Sequence, residues 1–313
     1  MSKIITVTLN PAIDKSTTVP VLVPEKKLKC TQPVFEPGGG GINVARAIKK
    51  LGGTATAIYL AGGYTGKFFS QLLEKEQIDT SVIEITNHTR ENLIVLDSAS
   101  NLQFRFGMPG PVVEENEWKK LLSLLEQMND ISYLVASGSV PSGVPEDIFA
   151  RIAFIAKKKK ARCIIDTSGE ALKLAAAEAV YLLKPNLGEL ASLVGAEEIE
   201  ISMVDDVAGK LVADGKCEVV VVSMGAAGAM LVTKDKVCHI TAPVVKRIST
   251  VGAGDSMVAG MVMGLTKHMG IADAARYGVA CGTAATINPG TELCRLADVE
   301  RLFPQIQVSD MMR

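Results

Sequence analysis

The sequence predicts an α/β fold in which a mainly parallel sheet is covered by helices. Three observations carry that prediction: short apolar runs bounded by turn residues, segments of helical periodicity between them, and enough apolar residues to fill a large core. The runs at 4–9, 55–60, 133–136, 163–166, 181–183 and 219–223 are short and almost wholly apolar, as strands buried on both faces must be. Over 114–128, Trp118, Leu121, Leu122, Leu125 and Met128 recur at spacings of three and four, which places them on one face of a helix. That stripe is read as core, and Trp118 receives no functional role. Lys157-Lys158-Lys159-Lys160 closes a helix that begins near Pro145, where cations complement the negative end of the helix dipole.

Two segments break the strand and helix rhythm. Residues 15–33 alternate Val and Leu around Pro20 and Pro24, and residues 83–108 read as strands separated by polar turns. Neither contains a crossover helix. Together they predict a small β-sheet lid, formed from two insertions into a single domain spanning 1–313. No flexible linker, internal repeat or low-complexity tract divides the chain.

Composition narrows the function classes. Hydrophobic residues at 48% and charged residues at 21% exclude a globally disordered chain. Lys+Arg 33 against Asp+Glu 34 gives a net charge of -1, without the basic field that nucleic acids or anionic lipids attract. Neither is expected as a partner. The uncharged run 51–66 is too short and too broken by glycine to span a bilayer. The stretch from Met1 to Leu9 lacks the apolar length and cleavage site of a signal peptide, so a cytoplasmic location is expected. Cys30, Cys163, Cys217, Cys238, Cys281 and Cys294 never fall as C-x-x-C and read as buried thiols, not as disulfides or zinc ligands.

Three glycine loops invite a nucleotide reading. Gly62-Gly63-Tyr64-Thr65-Gly66-Lys67 fails as a P-loop, because Ala61 stands at the first glycine position and Phe68 replaces the magnesium-binding hydroxyl. It is read as a strand-to-helix turn. Gly38-Gly39-Gly40-Gly41 leads straight into a helix, which suits backbone N–H groups that must approach a ligand at a positive helix end; a mobile turn is the alternative. It is not a dinucleotide fingerprint, since the register that starts at Gly39 puts Val44 where the last glycine would fall. In Ser249-Thr250-Val251-Gly252-Ala253-Gly254-Asp255-Ser256, Gly252, Ala253 and Gly254 can direct amides at one spot and hold the charge of a transferring phosphoryl group. Asp255 follows, as a base for an attacking hydroxyl or as a helix cap; spacing does not separate the two.

The segment 250–256 resembles the C-terminal signature of the ribokinase-like (PfkB) family of sugar kinases, and Gly38 to Ala45 is similar to its N-terminal glycine signature. The resemblance also takes in 8–14, 137–141, Lys184-Pro185-Asn186 with Glu189, and 223–228, and so covers essentially the whole chain. It implies a ribokinase-like three-layer α/β core with a mainly parallel sheet and a small β-sheet lid, and a homodimer paired through the lid. It also implies an ATP-dependent phosphosugar kinase that uses Mg2+. The all-glycine loop, where many phosphosugar relatives carry Gly-Gly-Lys-Gly, implies phosphorylation of fructose 6-phosphate at its 1-hydroxyl. Tagatose 6-phosphate and fructose 1-phosphate are the alternative acceptors, and one inverted hydroxyl separates the first of these.

By the same resemblance Asp255 is the general base, and Gly252, Ala253 and Gly254 form the anion hole. Asp14, Gly39, Gly40 and Asn43 face the sugar. Lys27, Arg90, Arg105 and Ser139 take its phosphate; the planar fork of arginine suits phosphate oxygens. Lys184, Asn186, Glu189, Ser223, Gly225 and Gly228 serve the nucleotide, with Glu189 on Mg2+ through water. Asn186 and Glu189 read equally well as capping residues. For a monovalent cation such as K+, the corresponding stretch holds Ser249, Val251, Ala285, Asn288 and Gly290, with Glu292 where a basic residue is expected. A catalytically silent sugar-phosphate or nucleotide sensor on the same fold is the reading from a different class, and the intact 252–255 loop argues against it. A dehydrogenase lacks its fingerprint here, and a serine hydrolase lacks any G-x-S-x-G.

Overall fold

The structure is a computed structural model that describes residues 2–290 and 292–311; Met1, which opens the N-terminal stretch discussed above, lies outside them. In chain order the first elements are β1 (Lys3–Thr8), β2 (Ala12–Val19), β3 (Val34–Gly38), α1 (Gly40–Lys50), β4 (Thr56–Gly62), α2 (Gly63–Lys75), β5 (Asp79–Ile85), β6 (Arg90–Asp97) and β7 (Leu102–Phe106). Then come α3 (Glu115–Gln127), β8 (Ile131–Ser137), α4 (Ile148–Lys158), β9 (Arg162–Asp166), α5 (Gly169–Ala176), β10 (Val180–Leu183), α6 (Leu187–Val194) and α7 (Val204–Ala213). The chain ends with β11 (Cys217–Ser223), β12 (Ala229–Thr233), β13 (Val237–Thr241), α8 (Ala253–Thr266), α9 (Ile271–Thr286), α10 (Leu296–Leu302) and β14 (Gln307–Asp310).

Among the described residues the main sheet has the order β14-β13-β12-β11-β10-β9-β8-β1-β4-β5. From β11 through β5 the strands pair in parallel, and β12, β13 and β14 extend the other edge antiparallel. Alternation along each strand divides its side chains between two cores, one on each face. Ile4, Tyr59, Tyr133 and Val221 pack into the core that also holds α1, α8 and α9. Ile5, Ile58, Leu134 and Val220 face the other way, into the core under α3, α4 and α5. The result is the predicted three-layer α/β arrangement. Trp118, Leu121 and Leu125 of the expected stripe are buried, while Leu122 and Met128 are only partly covered at its margin. Lys159 reaches across to α3, where its ammonium donates to the carbonyls of Glu126 and Met128. Five cysteines are buried as free thiols; Cys30 differs, lying exposed in a segment without a strand. Among the described residues no helix is long and apolar enough to cross a membrane.

A separate sheet of order β3-β2-β6-β7 stands beside the main one. Its strands do not follow the two inserted segments read from the sequence. Strand pairing begins at Ala12, lapses over 20–33 and resumes with β3, whereas residues 83–85 complete β5 at the parallel edge of the main sheet. β5 is exposed on alternate residues, so its pattern matches that of a half-buried strand in a small sheet.

The glycine run seats α1 directly on the strand ends. A Cβ at Gly40 would overlap Ser137 Oγ, and one at Gly41 would overlap the Val7 carbonyl; Gly39 adopts φ 116, in the region that favours glycine. The run is therefore a tight seat, not a mobile turn. Gly41→Ala is expected to cost about 2 kcal/mol of stability, since backbone must yield to admit the methyl. Urea unfolding measures this, and an unchanged midpoint contradicts the close seating.

Candidate active site

Most groups gathered at the site come from the carboxyl ends of the main sheet's parallel strands or from helices that begin there, the usual ligand position of an open α/β sheet; Asp14 and Arg90 come instead from β2 and β6 of the small sheet. β8 leads into Gly138 and Ser139, β9 ends on Asp166, β10 leads into Lys184, and β11 ends on Ser223. The N-termini of α1 and α8 meet at the same place.

Gly252 caps α8 with φ 69, and Asp255 falls inside the first turn. Its Oδ2 accepts a hydrogen bond from Asn43 Nδ2 of α1 at 2.9 Å, a link 212 residues apart in sequence. The carboxylate makes no capping bond, so the helix-cap reading of Asp255 falls away. The amides of Gly254 and Asp255 precede the first intrahelical acceptor and point outward with the positive end of the helix dipole. The Ala253 N–H lies 3.4 Å from the Thr250 carbonyl, so its place among the anion-hole donors is partly taken by a turn.

Charge around this helix end is finely opposed. Burial, then the nearby Asp166 carboxylate, raise the Asp255 pKa, Asn43 and Lys184 hold it down, and the net value is about 7. Lys184 is 5% exposed and pairs with Asp166 at 3.2 Å. Burial alone would lower the ammonium's pKa, but Asp166, with Glu189 and Asp255 adding their charge, keeps it above the ordinary value. A Cβ at Gly254 would lie 3.5 Å from Lys184 Nζ, which puts that cation against the amide loop. Asp166 was not singled out from the sequence. Its signal was there, a carboxylate ending an apolar strand run, but acidic residues end many strands without a role.

On the side of the small sheet, burial raises the Asp14 pKa while a hydrogen bond from Asn92 at 2.9 Å opposes the rise. The Asn92 carbonyl oxygen in turn accepts from the Met108 N–H at 3.1 Å. Arg90 donates to the carbonyls of Met108 and Asn10, and among the described residues its Nε–H has no partner. Asn43 bonds Asp255, Asp14 is near enough to act on its charge, Asn10 touches both Arg90 and Ser139, and Gly39 and Gly40 pack against Pro11 and Gly138, so these groups gather where the two sheets meet. Lys27 and Arg105 are not gathered there: both are exposed, and Arg105 Nε donates to Gln103 on its own strand.

A cavity of about 480 Å3 adjoins the other side of Gly254, lined by Ser223, Gly225, Gly228, Thr250 and Ala253 among others. Asn186 and Glu189 form a reciprocal capping box at α6, with both bonds at 2.9 Å. The capping reading of that pair is realised, and Glu189 Oε1 stays outside the box. Burial raises the Glu189 pKa. In the loop expected for a monovalent cation, Ser249 Oγ donates to the Gly290 carbonyl at 3.1 Å and Asn288 Nδ2 to those of Ala284 and Leu293. Lys50 Nζ donates to the Glu292 carbonyl at 2.6 Å.

Comparison with known proteins places the chain among carbohydrate kinases. The pfkB family carbohydrate kinase model matches residues 7–298. ATP-dependent 6-phosphofructokinase isozyme 2 of Escherichia coli (strain K12) is 44% identical over 304 residues, covering 97% of this chain and 98% of the relative. 1-Phosphofructokinase of Bacillus subtilis (strain 168) is 33% identical over 306 residues, covering 98% and 99%. Among solved structures, phosphofructokinase-2 from Escherichia coli in complex with potassium superposes with a TM-score of 0.94 at 44% identity, covering 97% of this chain and 99% of that one.

The raised Asp255 pKa predicts an acid limb near pH 7. A carboxylate must be ionised to accept a proton, so kcat/KM should fall below about pH 7 and level off above it. Asp166→Asn removes one of the charges that raise this pKa, and the limb should move to lower pH. A limb that stays in place in that variant contradicts the coupling.

Proposed function

Because the chain belongs to the pfkB family of carbohydrate kinases, we propose that this ATP-dependent sugar kinase phosphorylates fructose 6-phosphate at the 1-hydroxyl, giving fructose 1,6-bisphosphate and ADP. One observation carries the chemistry: the Asp255 carboxylate, partly protected from ionisation, stands at the open amides of α8 and within electrostatic reach of Asp14. Asp255 takes the proton of the attacking hydroxyl as the oxygen bonds to the γ-phosphorus. The amides of Gly252 and Gly254, with the Lys184 ammonium beside them, stabilise the charge on the phosphoryl oxygens. Asp14, held by Asn92, accepts hydrogen bonds from sugar hydroxyls, and Gly39 and Gly40 let the backbone lie close to the ring. Arg90 and Ser139 take the 6-phosphate.

The donor set on the nucleotide side fits ATP and Mg2+. The cavity lined by Ser223, Gly225 and Gly228 suits the nucleoside, Lys184 and Asn186 lie toward the phosphates, and Glu189 keeps an oxygen for a hydrated Mg2+. Bound Mg2+ supplies charge neutralisation of the phosphates. For K+ the fitting groups are the carbonyls near Ser249, Val251, Ala285, Asn288 and Gly290; the Ser249 bond to Gly290 already ties the two halves of that loop together. A cytoplasmic enzyme suits both substrates.

Identity at 44% to a 6-phosphofructokinase and 33% to a 1-phosphofructokinase supports the choice of sugar. Pairing of two copies through the lid rests on β7, an edge strand that exposes Leu102 59%, Phe104 37% and Phe106 43%. A paired lid gives Lys27 and Arg105, exposed in the single chain, a surface on which to meet the sugar phosphate.

Fructose 6-phosphate is expected to give the highest kcat/KM of the three candidate acceptors; preference for tagatose 6-phosphate or fructose 1-phosphate contradicts the assignment. Asp255→Asn should lower kcat by about 1,000-fold, within the range for loss of a general base, with sugar affinity changed less than about threefold. Retained turnover in that variant refutes Asp255 as the base. Sedimentation should give a dimer that Phe106→Asp converts to monomer, and a monomeric native protein contradicts pairing through the lid.

A further inference from the structure

Asn10 has no part in the chemistry derived so far, yet it joins the two groups that take the sugar phosphate. It lies between β1 and β2 and is 7% exposed. Its Nδ2 donates to Ser139 Oγ at 3.0 Å, and its main-chain carbonyl accepts from Arg90 Nη2 at 3.0 Å. Its Oδ1 is buried without a hydrogen-bond partner among the described residues. Gly110 closes over the amide, since a Cβ there would overlap Asn10 Oδ1. The amide is thus wedged in place with its nitrogen toward an exposed serine.

A serine hydroxyl has one proton and two lone pairs. When an amide N–H occupies a lone pair, the hydroxyl proton is left for another acceptor. Ser139 is exposed, so that acceptor comes from the cleft, and a phosphate oxygen fits: it is an acceptor at neutral pH and gains from charge-assisted hydrogen bonds. We propose that Asn10 is a positioning residue that holds Ser139 as a hydrogen-bond donor, and so tunes the cleft toward sugars that already carry a phosphate. The inference rests on the reading of Ser139 as a phosphate contact. An acceptor in place of the Asn10 nitrogen would reverse the polarity: Ser139 would donate inward to it and present only lone pairs to the phosphate.

The test is a double-mutant cycle read in the KM of the best phosphosugar at saturating ATP. Ser139→Ala should raise KM by about tenfold, the loss of one hydrogen bond to a charged group. Asn10→Asp should raise it at least as much with kcat changed less than about threefold. Asn10→Leu, which removes the hydrogen bond but leaves the Ser139 proton free, should do clearly less than Asn10→Asp. In Asn10→Asp with Ser139→Ala the two effects should not add, and KM should stay within about twofold of Ser139→Ala alone. If the Asp penalty persists undiminished in that background, it acts through charge and the inference is overturned while the phosphate contact stands. Equal penalties for Leu and Asp show packing alone and also overturn it. If Ser139→Ala leaves KM unchanged, the phosphate contact itself fails and takes the inference with it. Should Asn10→Asp not fold, as judged by thermal melting, Gly110→Ala displaces the same amide. It is expected to raise KM severalfold in the native background and not in Ser139→Ala; an equal effect in both overturns the inference.

Discussion

A carboxylate kept from ionising freely, beside the open amides of a helix, is the constraint on which the site depends. Asp255 is pressed by burial and by Asp166 toward the protonated form and drawn back by Asn43 and Lys184, and the balance leaves it near pH 7. An unperturbed aspartate would be fully ionised there but a feeble base, whereas a wholly buried one would stay protonated. A base works best when its pKa lies near the working pH. In the proposed reaction the Asp166–Lys184 pair thus acts on both sides. Its anion lifts the basicity of Asp255, and its cation lies against the loop where phosphoryl charge collects.

That balance requires two helices to converge on one point. Asn43 and Asp255 lie in the first turns of α1 and α8, and each helix is brought in by a loop that only small residues permit. Gly40 and Gly41 sit so close to Ser137 and Val7 that no side chain fits between them. Within α8, Gly260 and Gly264 allow α9 to pack near backbone contact, with a Cβ at either position falling 2.9 Å from the Cα of Gly278 or Ala274. Stability and function therefore draw on the same glycines.

How much of this was legible in the sequence varies with the range of the interaction. The glycine run and Gly252-Ala253-Gly254-Asp255 declare themselves because several neighbouring residues are needed for one local conformation. The buried strands were legible because both their faces are covered. Asp166, Asn10 and Asn92 were not, since each acts through a partner remote in the chain and none needs a special local backbone. The small sheet is legible but its strands are not correctly divided: β5 is exposed on alternate residues, unlike the other parallel strands buried on both faces, and only tertiary pairing assigns it to the main sheet. Lys27 and Arg105, named through family resemblance, stay outside the cleft of a single chain because the segments that carry them are exposed.

The account is tested most directly by titrating Asp255 itself. Carbon-detected NMR of the protein labelled at aspartate carboxyls, with Asp255→Asn to assign the resonance, reads its protonation without turnover. The account predicts a midpoint near pH 7 in the free protein. A midpoint near the ordinary aspartate value of about 4 would show an unperturbed carboxylate and contradict the tuned base on which the rest is built.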